Sequence, residues 1–106
     1  MNKRIKAGWV KKLRSGDFKQ GKGFLRQGKG AETKYCCLGV LTDMAVKNGV
    51  CPAKIAYSYF TLYPEVKTWA GLDSCDPNIG KYCASEWNDD KGTSFKHIAD
   101  LIEKNL

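Results

Sequence analysis

Apolar residues recur at helical spacing in three parts of the chain. Ile5, Trp9, Val10 and Leu13 fall at i, i+4, i+5 and i+8, one face of a helix whose other faces carry Lys3, Lys6, Lys11, Lys12 and Arg14. Gly16 is placed to end that helix as a C′ residue. Cys37, Leu38, Leu41 and Ala45 mark a second helix within Cys36 to Asn48, ended by Asn48-Gly49 and followed by Pro52. Its apolar density predicts a central, largely buried element. Phe95, Ile98, Ala99 and Ile102 sit at i, i+3, i+4 and i+7 behind a Thr93 or Ser94 cap and predict the last helix. A short helix, Pro64 to Ala70, is opened by the proline and closed by Gly71.

Elsewhere the helical period breaks. Ile55 to Leu62 reads IAYSYFTL, rich in aromatic and β-branched residues, and predicts a strand; Ile79 to Cys83 is the place for a second. Asp17 to Ala31 is Gly-rich, with Phe18, Phe24 and Leu25 as its anchors. The expected fold is α+β, with about four helices and a small antiparallel β-sheet or hairpin, in a single compact domain over residues 1–106.

Composition narrows the class. A chain of 106 residues suits one domain, and 42% hydrophobic with 27% charged residues is globular rather than disordered. The apolar runs are too short to cross a bilayer. The basic start (Lys3, Arg4, Lys6) has no apolar stretch behind it, so no export signal is expected. Large multi-step enzymes, membrane proteins and secreted disulfide scaffolds are thereby excluded.

Charge adds a direction. Of the net +7, residues through Lys34 carry +9 and the remainder −2. Such asymmetry suits an anionic partner, though a solvated, solubilising face would look the same.

The basic third also holds the one internal repeat. Lys19-Gln20-Gly21-Lys22-Gly23 returns seven residues later as Arg26-Gln27-Gly28-Lys29-Gly30. Each copy sets a Lys between glycines, where backbone N–H groups can form an anion-binding nest beside a full positive charge. A phosphate is the natural guest, with Arg14 as a further cation; a plain basic turn is the competing reading. The match to a P-loop fails, because Gly23 and Gly30 stand where a Ser or Thr would bind Mg²⁺. Tyr35 and Trp87 are candidates to hold a base, and Asn88 and Asp89 to take ribose hydroxyls. The other aromatics, Tyr57, Tyr59, Tyr63, Trp69 and Tyr82, read first as core and core rim.

Five cysteines (Cys36, Cys37, Cys51, Cys75, Cys83) with no export signal fit reduced thiols in a cytoplasm. A zinc site from Cys51, Cys75, Cys83 and His97 matches no familiar spacing, so no metal and no cofactor are expected. Cys36 or Cys37 at a helix N-terminus could have a lowered pKa, yet the only imidazole, His97, lies on the exposed side of the last helix. Buried small hydrophobes are the usual role of cysteines in so apolar a run. Glu86, Asp89 and Asp90 could hold a hard cation or simply form a polar loop.

The segments Leu13-Arg14-Ser15-Gly16-Asp17-Phe18-Lys19-Gln20-Gly21, Tyr35-Cys36-Cys37-Leu38-Gly39-Val40-Leu41, Tyr63-Pro64-Glu65-Val66-Lys67-Thr68-Trp69-Ala70-Gly71-Leu72 and Asn88-Asp89-Asp90-Lys91-Gly92-Thr93-Ser94-Phe95, with Ile98-Ala99-Asp100-Leu101-Ile102-Glu103, resemble small proteins of bacteriophages and prophages over nearly the whole chain. The resemblance implies a context, the cytoplasm of a host cell and a counter-defence role, rather than a mechanism. The expected function is a non-enzymatic accessory protein that sequesters a phosphorylated, nucleotide-type ligand through the Gly/Lys loop. The alternatives are an inhibitor docking on a host defence protein or on a nucleic-acid-binding channel, as anti-CRISPR proteins do, and a direct nucleic-acid binder. A homo-oligomer is left open; a membrane partner is not expected.

Overall fold

The first helix begins where Asn2 turns its side chain back: its Oδ1 accepts the Ile5 N–H at 2.9 Å. In the computed structural model, which describes residues 1–106, this α1 (Lys3–Ser15) ends at Gly16 in the left-handed region, φ +81°. It buries Trp9, Val10 and Leu13. Two adjoining elements are the repeat itself: β1 (Lys19–Gln20) and β2 (Arg26–Gln27) take the first two residues of each copy. Both pair with β3 (Lys34–Tyr35), β1 parallel and β2 antiparallel, giving the order β1-β3-β2. The duplication in sequence thus becomes two edges around one shared strand.

Helix α2 (Cys37–Lys47) is the centre of the molecule, with every residue from Cys37 to Ala45 buried. A short α3 (Ala53–Ala56) and α4 (Pro64–Ala70) follow. Next comes a hairpin of β4 (Asn78–Ile79) and β5 (Tyr82–Cys83), turned at Gly80 with φ +73°. A π-helical turn, Glu86–Asp90, leads into α5 (Phe95–Asn105), which Ser94 caps by accepting the His97 N–H. Helices α1 and α5 pack along each other, α1 also packs on α2, and all three contribute to one continuous apolar core. The Trp9 indole N–H donates to the Cys37 carbonyl at 2.9 Å, fixing α1 across the start of α2.

The α+β class and its four principal helices follow the sequence reading, and the hairpin at 78–83 lies where a second strand was expected. The strand expected over Ile55 to Leu62 does not form. Ala53–Ala56 is helical, and the following residues have no strand beside them. Aromatic and β-branched residues favour strands through packing on a pleated surface, and here Ile55, Tyr59 and Phe60 face solvent. Phe24, read as an anchor of the Gly-rich stretch, is also exposed, leaving Leu25 as the buried one. The three-stranded sheet is mixed rather than antiparallel. No helix is long and apolar enough to cross a membrane.

Candidate functional site: a lysine-lined cleft

Asn88 organises the polar side of the core. It is fully buried in the π-helical turn. Its Oδ1 accepts from the Gln20 amide at 2.9 Å and the Cys37 N–H at 3.1 Å. Its amide donates to the Gly21 carbonyl and to Asp89 Oδ1, each at 2.8 Å. One side chain therefore ties the first repeat to the start of α2. Gln20 donates again to the Thr93 carbonyl, and the Gly21 N–H donates to the Tyr35 carbonyl at 2.8 Å. Gln20, Gly21 and Asn88, expected to meet ligand, are instead occupied in holding the fold. Gly21 cannot serve as half of an anion nest.

Other expected ligands are also engaged. Arg14 grips Asp100 at 2.6 Å and both carboxylate oxygens of Glu103 across the α1–α5 seam. The hydrogen bond from Arg14 holds the Glu103 carboxyl below its ordinary pKa. The Arg26 guanidinium lies 3.9 Å over the Tyr57 ring. The Lys22 ammonium reaches toward Gly92. Trp87 donates its indole N–H to the Ile79 carbonyl, and its ring meets Tyr82 edge-on and His97 nearly parallel. These side chains do not converge on one pocket.

What does converge is a cleft of about 480 Å³ between the end of α1, the three-stranded sheet and α2. Lys12, Lys19 and Lys47 line it with Asp17 and Asp43; Phe18 and Tyr35, packed edge to face at 5.0 Å, form its apolar wall. The rest is Gly30, Ala31 and Thr33. Lys19 comes from the first copy of the repeat and Gly30 from the second, brought together because both copies flank β3. The Lys19 ammonium donates to the Ala31 carbonyl at 2.7 Å, and neither it nor Lys12 has a carboxylate partner. Lys47 is paired with the buried Asp43 at 2.9 Å, one turn back on α2, and this hydrogen bond raises its pKa. The cleft brings together Lys19 and Tyr35, both named from the sequence, with Lys12, Lys47 and Asp43, which were not candidates there. Their spacing on two separate helices carries no local signal.

The thiols of the CC pair behave opposite to an activated nucleophile. Burial lifts Cys36 to about 11 and Cys37 well above its ordinary value, against the weaker lowering by backbone N–H groups at the helix start. Both stay protonated at neutral pH. We expect iodoacetamide to modify Cys51, Cys75 and Cys83 in the native protein while Cys36 and Cys37 react only after unfolding, read by mass spectrometry. Rapid native labelling at Cys36 or Cys37 would contradict the burial. Because their folded pKa values lie above the unfolded ones, their effect on stability is absent in neutral solution. It becomes a loss as pH rises from about 9 toward about 11. No group of three or more His, Cys, Asp or Glu side chains is disposed to hold a metal ion, so the cysteine–histidine set and the acidic cluster are not assembled as metal sites.

Fold and cleft together define a small α+β domain with a lysine-lined polar cleft beside a mixed three-stranded sheet. The chain belongs to the family described as a domain of unknown function, DUF8296, whose model matches residues 1–106. No curated protein and no solved structure matches it.

Proposed function

We propose that this chain is a non-enzymatic accessory protein of the bacteriophage type that binds and sequesters a phosphorylated, nucleotide-type ligand in the lysine-lined cleft. The observation that carries this reading is the placing of two cations free of carboxylate partners, Lys12 and Lys19, opposite the Phe18–Tyr35 wall. Phosphate oxygens take the ammonium groups, as charge-assisted hydrogen bonds favour. A base lies against the aromatic edge, and Asp17 accepts from a hydroxyl. The volume falls in the ordinary range for small-molecule sites.

The test is a thermal-shift and calorimetric screen against mono-, di- and cyclic nucleotides and ADP-ribose. A ligand that binds only the folded state stabilises it by about 2.7 kcal/mol at a hundred times its Kd. The Lys12→Ala/Lys19→Ala variant is expected to weaken binding by about a hundredfold, as two charge-assisted contacts are lost. Lys22→Ala/Lys29→Ala should leave it within about threefold, a difference below ~1 kcal/mol. A panel without any shift, or a Lys12→Ala/Lys19→Ala variant binding like wild type, sinks the proposal.

A further inference from the structure

Helix α1 carries six cations and no acid: Lys3, Arg4, Lys6, Lys11, Lys12 and Arg14. Lys12 faces the lysine cleft, and Arg14 holds Asp100 and Glu103. The other four make no ion pair. Lys3, Lys6, Lys11 and Arg14 border one groove of about 550 Å³, shared with Ala7, Val10 and Glu103. With Arg4 beside Lys3, this outer face has five cations against the carboxylates of Asp100 and Glu103, a net +3. The fold does not need that charge. Lys3, Arg4 and Lys6 fall among the first four residues of α1, at the positive end of its dipole, where cations weaken a helix. Between the cations the surface is small: Ala7 is exposed, whereas Trp9, Val10 and Leu13 are buried and Ile5 packs on the core.

We propose that the outer face of α1 binds the phosphate backbone of double-stranded DNA, independently of base sequence. Lys and Arg gathered along one helix of a domain carrying +7 are the electrostatic footprint of a nucleic-acid binder. Lys3 and Lys11 stand about 12 Å apart along the helix axis, which matches the width of the B-form major groove. Cations at both ends of α1 thus reach phosphates of both strands, and the small Ala7 between them permits close approach. Other occupants need what this face lacks. A single strand is held by bases stacked on aromatic rings, and α1 exposes none. A protein partner is anchored by large apolar side chains, and a membrane by apolar groups sunk below the headgroups; those of α1 point into the core. A second copy would set like charges against each other. The major groove of an A-form RNA duplex is too narrow for a helix face.

The experiment is a fluorescence-anisotropy titration of a DNA duplex with the full chain, at salt concentrations from about 50 to about 200 mM. Four neutralised phosphates give a log–log slope of about −3.6, so affinity should fall about a hundredfold over that range. A duplex of scrambled sequence should bind within about twofold, since backbone contacts carry no sequence information. Lys3→Gln/Arg4→Gln/Lys6→Gln/Lys11→Gln is expected to melt no lower than wild type, because these cations oppose the dipole, while binding weakens by about a hundredfold. Should that variant melt early, Lys11→Gln alone decides, with a slope shallower by about one. Lys12→Ala/Lys19→Ala should bind the duplex within about threefold of wild type, so failure here is separable from failure of the nucleotide reading. The proposal is overturned by no binding at low salt, by a slope shallower than about −2, or by a folded quadruple variant that binds like wild type. Tighter binding to a thymidine oligonucleotide, an RNA duplex or phosphatidylserine vesicles overturns it equally, as does poly-glutamate of equal charge competing as well as the duplex.

Discussion

Asn88→Ala is expected to cost roughly 2–6 kcal/mol, since each buried group left without a partner costs about 1–3 kcal/mol. Two such groups are orphaned at once, the Cys37 N–H and the Gly21 carbonyl, while the Gln20 amide keeps only its bond to the Thr93 carbonyl. Domains of this size have about 5–15 kcal/mol in total, so the variant should melt roughly 15 °C lower or fail to accumulate. The damage spreads because Asn88 joins segments far apart in sequence, the first repeat and the start of α2. Asn88→Asp should rescue only partly. It keeps the acceptor for Gln20 and Cys37 but turns a carboxylate oxygen toward the Gly21 carbonyl and the Asp89 side chain. A melting temperature within about 3 °C of wild type for Asn88→Ala would mean that water takes over the bonds, and the hub would then be ordinary.

Gly39→Ala is the second large effect, and it acts through the backbone. A Cβ built on Gly39 would overlap the Leu25 carbonyl oxygen. That oxygen also accepts the Cys36 N–H at 3.3 Å, so the chain around Leu25 sits directly against the first turn of α2. No rotamer can relieve a clash between a methyl group and a backbone atom. Either α2 and the Leu25 segment separate, or the chain does not fold. Overpacking typically costs about 1–3 kcal/mol, and a backbone obstacle places this case at or beyond the upper end. Gly8→Ala is the control. Its Cβ would meet only Met44 Cε at 2.9 Å, the far end of a flexible side chain that can give way, and a helical glycine replaced by alanine gains up to about 1 kcal/mol. Urea unfolding followed by circular dichroism distinguishes the two. Equal midpoints for Gly39→Ala and Gly8→Ala would refute the argument.

Both residues were visible in the sequence without their roles. Asn88 read as a candidate for ribose because it lies in a polar, acidic run, and polar runs are ordinarily solvated. Nothing local signals that one member turns inward. Gly39, inside the YCCLGVL segment, read only as part of a helix, since close approach of a distant backbone leaves no trace in spacing. The duplicated loop is the instructive case between these extremes. Its repetition read as an anion nest or a plain basic turn, and its glycines take positive φ at Gly23, Gly28 and Gly30. Yet the first two residues of each copy became strands, Gln20 and Gly21 were drawn into the core network, and Lys19 reached the cleft.

By itself the sequence determined what depends on neighbours along the chain. The helical faces of α1, α2 and α5, the stops at Gly16 and Gly71 and the Ser94 cap follow from periodicity and from which residues tolerate which backbone angles. The concentration of positive charge in the first third is equally a property of the string. Tertiary structure decided everything that needs two distant segments to meet. It placed β3 between the two copies, set Lys12 and Lys47 across from Lys19, and closed Arg14 onto Asp100 and Glu103. It also left Ile55 to Phe60 without a partner strand, so Tyr59 and Phe60 face outward. The physical reason is common to all four. Backbone angles and amphipathic period are local energies, whereas burial and hydrogen-bond partners are settled by whichever long-range packing gives the core its lowest free energy.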